Sequence, residues 1–197
     1  MKDIFIILFI LFVLSWSGYI YVENFSSDID YVVSDYDSRK YLVRNLNDKK
    51  EAANTLAIMR SRLIDFVDDI CKEYSTDDRM VRLRKNFNPD NISESPADSK
   101  HTSYSVNKGE KIVFCIRQRD DDNNLMDMNT LLFVAIHELA HIMTKSIGHT
   151  QEFWDNMKFL LKYAIKRDKY KYQPFHKEPV RYCGTMITDT PYKHGEE

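Results

Sequence analysis

The sequence predicts an α+β fold preceded by one membrane-spanning helix. Three patterns lead to this prediction: an uncharged apolar run from Ile4 to Val22, later segments with apolar residues every three or four positions, and a strand-forming run from Lys111 to Arg117. With 43% hydrophobic and 29% charged residues, the composition excludes an intrinsically disordered chain. The net charge of −2 gives no global reason to expect a nucleic-acid-binding protein.

The run from Ile4 to Val22 predicts an uncleaved membrane anchor. At a rise of 1.5 Å per residue it would span about 28 Å, close to the thickness of the hydrocarbon core of a bilayer. A cleaved signal peptide is the alternative, with Ser15, Ser17 and Gly18 as the small residues of its cleavage site. Aromatic residues continue the run beyond that point and favour the anchor.

The charges around this run predict its orientation. The amino terminus and Lys2 precede it, whereas the first cation after it is Arg39. We therefore expect a single-pass membrane protein whose body lies on the non-cytosolic side. The predicted organisation is an anchor over residues 1–23, a linker with one short strand over 24–46, and a folded domain over 47–197.

The segments between the anchor and residue 125 predict two helices and a hairpin. A helix of about 25 residues begins at Asn47, and a shorter one capped by Thr76 follows it. Residues 88–96 are predicted to be a loop. Two strands, 102–106 and 111–117, then flank a turn that contains Gly109.

The three cysteines, Cys71, Cys115 and Cys183, show no Cys-x-x-Cys spacing. A zinc ribbon or a dithiol redox motif is therefore not predicted. Three reduced buried thiols and one disulfide with one free thiol both stay open, and the first is slightly favoured.

The pattern with the clearest chemical meaning is H-E-x-x-H, formed by His137, Glu138 and His141 on a helix that Asn129 or Thr130 caps. Residues four apart lie on one face of a helix, so both imidazoles can reach one metal ion. Glu138 is rotated by about 100° from His137 and borders that face, where it can hold a water molecule without being a ligand. Apolar residues cover the opposite face, so the polar face is expected to line a cleft.

A third imidazole follows this helix. His149 comes directly after Gly148, which can end the helix in a left-handed turn. Three protein ligands with a fourth position left to water are typical of catalytic zinc. We therefore predict that Zn²⁺ is held by His137, His141 and His149, with Glu152 and Asp155 on the next helix as the rival third ligands.

The last part of the chain is predicted to contain one more helix and a loop-like end. Thr150 can cap the helix, whose apolar face would support the site from behind. In the loop-like segments beyond it, Tyr182 or Tyr172 could donate its phenol to a developing oxyanion, and we take Tyr182 as the candidate.

The sequence HELAH followed by GHTQEFW, with Phe153 four residues after His149, resembles the WLM and SprT-like zinc metallopeptidases. The longer stretch from Asn47 to Pro191 is similar to WLM-domain proteins encoded by large DNA viruses. The resemblance implies a minimal zincin-like peptidase domain. The residues that match the zinc ligands and the general base of these families are His137, His141, His149 and Glu138.

These observations together predict a membrane-anchored metallopeptidase that hydrolyses a polypeptide substrate with a zinc-activated water. The strand Lys111 to Arg117 is expected along the cleft edge, where an extended substrate could pair with it. One alternative is a catalytically inert, zinc-binding membrane scaffold. Another, implied by the resemblance, is a protease for proteins crosslinked to DNA. A small basic cluster around Arg82 leaves nucleic acid open as a partner without favouring it.

Overall fold

The computed structural model describes residues 2–25, 28–120 and 122–193, and in these residues the chain forms five helices and seven strands. The predicted α+β class is confirmed. In chain order the elements are α1 (Lys2–Phe25), β1 (Ile29–Val33), β2 (Lys40–Arg44), α2 (Lys49–Glu73), α3 (Asp78–Asn86), β3 (Ile92–Glu94), β4 (Tyr104–Val106), β5 (Lys111–Phe114), α4 (Met128–Met143), α5 (Gln151–Lys166), β6 (Val180–Tyr182) and β7 (Thr185–Ile187).

The amino-terminal helix α1 does not bear out the predicted membrane anchor. Within the described residues, no helix is both long enough and apolar enough to cross a membrane. The helix runs from Lys2 to Phe25, and the side chains described in it, at residues 4–18, are exposed. The predictions of a transmembrane helix over residues 4–22 and of a single-pass localisation are therefore wrong, and the membrane as a partner is not supported.

A β-hairpin lies within the segment predicted to be a linker with one short strand. Strands β1 and β2 pair antiparallel, with Ile29 opposite Arg44 at one end and Val33 opposite Lys40 at the other. On β2 the side chains of Tyr41 and Val43 are buried, and the strand packs against α2 and β3.

The two helices that follow form as predicted, although their first residues differ. Asp48 rather than Asn47 stands at the amino end of α2. The carboxylate of Asp77, not the hydroxyl of Thr76, caps α3 by accepting a hydrogen bond from the backbone N–H of Arg79. The apolar stripe predicted for α2 is buried at Leu56, Met59, Leu63, Phe66 and Ile70.

The central sheet has the strand order β3-β5-β4, with β3 parallel and β4 antiparallel to β5. The hairpin predicted around Gly109 is therefore present, and Gly109 has a φ of +114°. An added Cβ at this position would lie 2.5 Å from the carbonyl oxygen of Asn86, so glycine is required there. Strand β3 was expected to be part of a loop, because three residues between proline-containing turns are too few to show a strand period.

The position of β5 corrects the prediction for the edge of the cleft. Strand β5 is the central strand, since β3 and β4 pair with its two sides. The expectation that Lys111 to Arg117 lies along the cleft edge is wrong, and β4 is the edge strand on that side. Thr102 and Ser103, which directly precede β4, line the main cavity of the molecule.

A buried ion pair joins the sheet to the helical layer. Arg117 and Glu94 are each 2% exposed, and the Nε of Arg117 lies 2.8 Å from Oε1 of Glu94. The guanidinium also donates to the carboxylate of Asp48, directly before α2, and the second oxygen of Glu94 accepts from the backbone N–H of Arg44 at 2.7 Å. Removing either buried partner would leave an uncompensated charge, so this cluster ties β2, β3 and the start of α2 together.

The carboxyl-terminal segment contains a third hairpin where the sequence predicts loop-like structure. Strands β6 and β7 are joined by Cys183 and Gly184, which have φ values of +50° and +80°. Such left-handed pairs match the twist of a two-residue hairpin turn. A disulfide joins Cys183 to Cys115 at the end of β5, and Cys71 is a buried free thiol, so the slightly favoured set of three reduced thiols is not found.

The disulfide closes a loop of 68 residues and should therefore stabilise the fold. In the chain-entropy model, replacing Cys115 and Cys183 together by Ala should lower the free energy of unfolding by about 2–4 kcal/mol. Urea unfolding of both proteins, with and without dithiothreitol, measures this difference. The reductant should destabilise the wild type and leave the double variant unchanged. Detection of three free thiols in the unreduced wild type would contradict the assignment.

Candidate active site

The site is built on helix α4, which is buried on nearly every face. The carboxylate of Asp127 caps this helix by accepting a hydrogen bond from the backbone N–H of Thr130 at 2.9 Å, whereas Asn129 or Thr130 was predicted as the cap. Packing leaves His137 and His141, one turn apart, among the few side chains of α4 that are not fully buried. The face of α4 that carries His137 and His141 is therefore the partly open one, as expected for a helix whose polar face borders a cleft.

The turn after α4 brings the third imidazole back to the same place. The helix ends at Met143, earlier than predicted, and Gly148 (φ +83°) lies within the turn. The hydroxyl of Thr150 then caps α5 by accepting from the backbone N–H of Phe153, as predicted. His149 therefore lies between the end of one packed helix and the cap of the next.

The side chain of Lys108, to which the sequence analysis gave no role, holds this turn. The ammonium of Lys108 donates to the carbonyl oxygens of His141 at 3.3 Å, Thr144 at 2.9 Å and Ser146 at 2.6 Å. A cation at the carboxyl end of a helix is favoured by the helix dipole, so Lys108 stabilises the end of α4. No spacing rule in the sequence links Lys108, in the β4–β5 turn, to carbonyl groups at the end of a helix more than 30 residues later.

The three predicted imidazoles converge on one point. The Nε2 atoms of His137 and His141 lie 3.2 Å apart, those of His141 and His149 lie 3.2 Å apart, and those of His149 and His137 lie 3.1 Å apart. A tetrahedral ion bound at the Zn–N length of 2.0–2.1 Å would hold its nitrogen ligands about 3.3 Å from one another. The donor set and its spacing therefore fit one zinc ion, and the three residues form a group that could hold a metal.

One aromatic ring packs against all three imidazoles. The ring centroid of Phe153, which is fully buried, lies 4.9 Å from that of His137, 4.3 Å from that of His141 and 4.7 Å from that of His149. The indole of Trp154 stacks on the imidazole of His149 at 5.5 Å. These contacts orient the imidazoles, since rings packed on both sides have few alternative rotamers. The contact of Trp154 was not foreseen from the sequence.

The surroundings keep the two helix imidazoles neutral. Burial, followed by the proximity of the other imidazoles, lowers the pKa of His137 to about 3. Burial and the neighbouring His149 lower the pKa of His141 to about 4. Metal ions bind the neutral imidazole, so both side chains are ready to bind a cation well below neutral pH.

Glu138 lies beside this group in a different environment. Its side chain is 3% exposed, and burial raises the pKa of its carboxyl to about 8. The backbone N–H of Ser105 on the edge strand β4 donates a hydrogen bond to the carboxylate and partly offsets that rise. Glu138 and His137 both line the main cavity, which places the acid next to the imidazole group.

The predicted phenol of Tyr182 lies in the same cavity wall. Its hydroxyl is 2.6 Å from the hydroxyl of Ser103, and burial raises the pKa of the phenol, which therefore stays protonated near neutral pH. Tyr172 instead packs edge-on against Tyr192. Of the two tyrosines weighed from the sequence, Tyr182 is the one near Glu138.

The rival ligands have other partners. The carboxylate of Glu152 accepts hydrogen bonds from the backbone N–H of Lys145 at 3.0 Å and of Ser146 at 3.1 Å, and these bonds lower its pKa to about 2. Asp155 accepts from the amide of Gln151 at 2.9 Å. Glu152 therefore stabilises the turn that carries His149, because its carboxylate is occupied by backbone N–H groups of that turn. This favours His149 over Glu152 as the third member of the imidazole group.

The environment of Glu138 predicts a pH dependence of stability in metal-free protein. Folded protein keeps the proton on Glu138 up to about pH 8, whereas the unfolded chain releases it near the ordinary carboxyl pKa of 4.5. Between these values the folded state binds more protons, so rising pH should destabilise it. Relative to Glu138→Gln in EDTA, the melting temperature of the wild type should fall from about pH 5 to about pH 8. If the difference in melting temperature between the two proteins does not change with pH, the buried environment assigned to Glu138 is wrong.

Comparisons with known proteins agree with the resemblance seen in the sequence. Residues 43–196 match the WLM domain family. The chain is 33% identical over 168 residues to "Uncharacterized protein R325" of Acanthamoeba polyphaga mimivirus, covering 83% of this chain and 84% of the relative. It is 39% identical over 83 residues to "Uncharacterized protein 136R" of Invertebrate iridescent virus 6, covering 41% of this chain and 44% of the relative.

Among solved structures, the fold is similar to the crystal structure of Wss1 from Saccharomyces cerevisiae. The TM-score is 0.45 at 22% sequence identity, and the similarity covers 62% of this chain and 84% of that chain. The family match over most of the chain and the mimivirus relative confirm the WLM resemblance. The chain therefore belongs to the WLM family of zinc metalloproteases, and its domain is metallopeptidase-like.

Proposed function

We propose that this chain is a zinc-dependent metallopeptidase of the H-E-x-x-H…H type, in which His137, His141 and His149 hold the metal and Glu138 is the general base. The observation that carries this proposal is the convergence of three imidazole nitrogens within 3.1–3.2 Å, next to a buried carboxyl group in the wall of one cavity. A purely structural zinc site needs no such acid beside it, so Glu138 favours a catalytic role.

The proposed chemistry is peptide-bond hydrolysis. When bound, Zn²⁺ would lower the pKa of a water ligand toward about 7 and polarise the scissile carbonyl group. Glu138 would accept a proton at its carboxylate and then deliver it to the leaving amine nitrogen. Its burial supports this role, because a poorly solvated carboxylate is a stronger base than an exposed one, and the N–H of Ser105 restrains its orientation.

Two further groups would act on the substrate. Strand β4 pairs with β5 on one side only, so an extended polypeptide could add to its other side, next to the residues that line the cavity. The phenol of Tyr182 could donate a hydrogen bond to the oxyanion that develops on the scissile carbonyl, once it exchanges its present contact with Ser103.

The small basic cluster does not support a nucleic-acid-linked substrate. Arg79 pairs with Asp77 at 2.6 Å, and Arg84 lies 3.4 Å from Asp68. Arg82 donates to the carbonyl oxygen of Met143 at the end of α4. Since these cations have partners within the chain, a specific substrate crosslinked to DNA is not proposed.

The proposed metal site predicts that zinc binding depends on His149 and not on the alternative ligands Glu152 and Asp155. His149→Ala should abolish stoichiometric zinc binding, because two imidazoles alone hold zinc weakly. Asp155→Ala, in the same region of the chain, should bind zinc as the wild type does. Glu152→Gln should retain one zinc with lower affinity, because it loosens the turn that carries His149. Zinc content after dialysis against a weak chelator measures all three variants. Full zinc content in His149→Ala would overturn the ligand assignment.

Glu138→Gln separates zinc binding from catalysis. Gln keeps the size of the side chain and removes the base, so the variant should hold one zinc while its cleavage of an unfolded protein such as casein falls by at least about 100-fold. Wild-type rates in the variant would exclude Glu138 as the base. If the wild type holds zinc and cleaves neither casein nor a mixed peptide library, the inert scaffold replaces the peptidase.

A further inference from the structure

A cavity of about 490 Å³ lies beside Glu138, and the proposed chemistry assigns no part of the substrate to its apolar walls. Helix α4 contributes Phe133 and Val134 to its wall, helix α5 contributes Trp154 and Met157, and the carboxyl-terminal segment contributes Ile187 and Pro191. These side chains are apolar, and the volume is in the range of pockets that enclose a ligand group. The cavity therefore offers a poor environment for water and a good one for an apolar side chain.

The position of the cavity indicates which part of a polypeptide would enter it. Of the three converging imidazoles, only His137 belongs to the described wall, together with Glu138. In peptide hydrolysis the general base must reach the leaving amine nitrogen. The residue that carries this nitrogen is the one after the scissile bond. Its side chain would therefore lie on the Glu138 side of the site, where the cavity opens.

We propose that this cavity binds the side chain of the residue that follows the scissile bond and selects a large apolar residue there, such as Phe, Leu or Met. This inference rests on the proposed peptidase function and names its substrate class. Acidic side chains are selected against, because the carboxylates of Glu138 and Asp189 line the same space.

The walls of the cavity are held together before any substrate binds. The disulfide from Cys183 to Cys115 ties the β6–β7 hairpin to the end of β5. The hydroxyl groups of Tyr182, on that hairpin, and Ser103, which directly precedes β4, are 2.6 Å apart, and both residues line the cavity. A pocket formed in advance loses less conformational entropy on binding and discriminates better by size.

A peptide series tests the selectivity. The peptides share one sequence and differ only after the scissile bond, where they carry Gly, Ala, Leu, Phe or Glu. With zinc-loaded full-length protein, kcat/KM for Leu and Phe should exceed that for Ala by at least about 10-fold, and Glu should be the poorest substrate. Cleavage of all five peptides at similar rates would overturn the proposal while leaving the peptidase function intact.

Two neighbouring residues on β7 provide a matched pair of variants. Ile187 lines the cavity, whereas Met186 points away from it and is 49% exposed. Ile187→Phe should fill part of the cavity and lower kcat/KM for the Phe peptide by about 10-fold, with the Gly peptide nearly unaffected. Met186→Phe should change neither value. Equal effects of the two variants, at equal zinc content and melting temperature, would overturn the assignment of the cavity.

A binding measurement needs neither zinc nor turnover. The chain has two tryptophans, so in a Trp16→Phe variant the only indole is that of Trp154 in the cavity wall. Phenylalanine amide, which mimics the new amino terminus of a product, should change Trp154 fluorescence saturably. Glycine amide should not, and adding Ile187→Phe should remove the response. Saturable binding without cleavage of any peptide would support the apolar pocket and overturn the peptidase, whereas no response in any protein would overturn the pocket.

Discussion

The convergence of three imidazole nitrogens within 3.1–3.2 Å is the constraint on which the rest of the site depends. Bringing these rings together removes water from them, and burial lowers the pKa values of His137 and His141 to about 3 and 4. The cost of this desolvation must be met by packing elsewhere. The packing of the fully buried Phe153 ring against the imidazoles offsets part of this cost. The hydrogen bonds from Lys108 to the end of α4 offset a further part.

The orientation and the enclosure of the Glu138 carboxylate, beside the three imidazoles, depend on the central sheet and on the carboxyl-terminal segment. The N–H of Ser105 on the edge strand reaches the carboxylate of Glu138, so the register of β4 against β5 decides how that carboxylate is oriented. The β6–β7 hairpin closes the space around it, held by the disulfide of Cys183 and by the contact between Tyr182 and Ser103. A buried acid, a phenol and an apolar cavity thus share one wall.

The features that were predicted correctly depend on interactions between residues close together in the sequence, and the features that were missed depend on residues far apart. Helices α2, α4 and α5 were predictable because their periodicity is local, and so was the hairpin around Gly109, although Asp48 and Asp127, not the predicted residues, stand at the caps of α2 and α4. Strand β3 was missed because its three residues are too few to show a strand period, and because the partner that allows Glu94 to be buried, Arg117, lies 23 positions away. The prediction of a membrane-spanning helix rested on the length and apolarity of one local run, and it is wrong, because within the described residues no helix combines the required length and apolarity.

The sequence by itself determined the family and the spacing that lets His137 and His141 share a helix face, since both depend on residues close together in the chain. Only the tertiary structure decided that His149 returns to the same point, that Glu152 belongs to the turn instead, and that β4 and not β5 borders the cleft. It also decided that Trp154, Ile187 and Tyr182 enclose one cavity. These positions depend on packing between elements far apart in sequence, which no local pattern records.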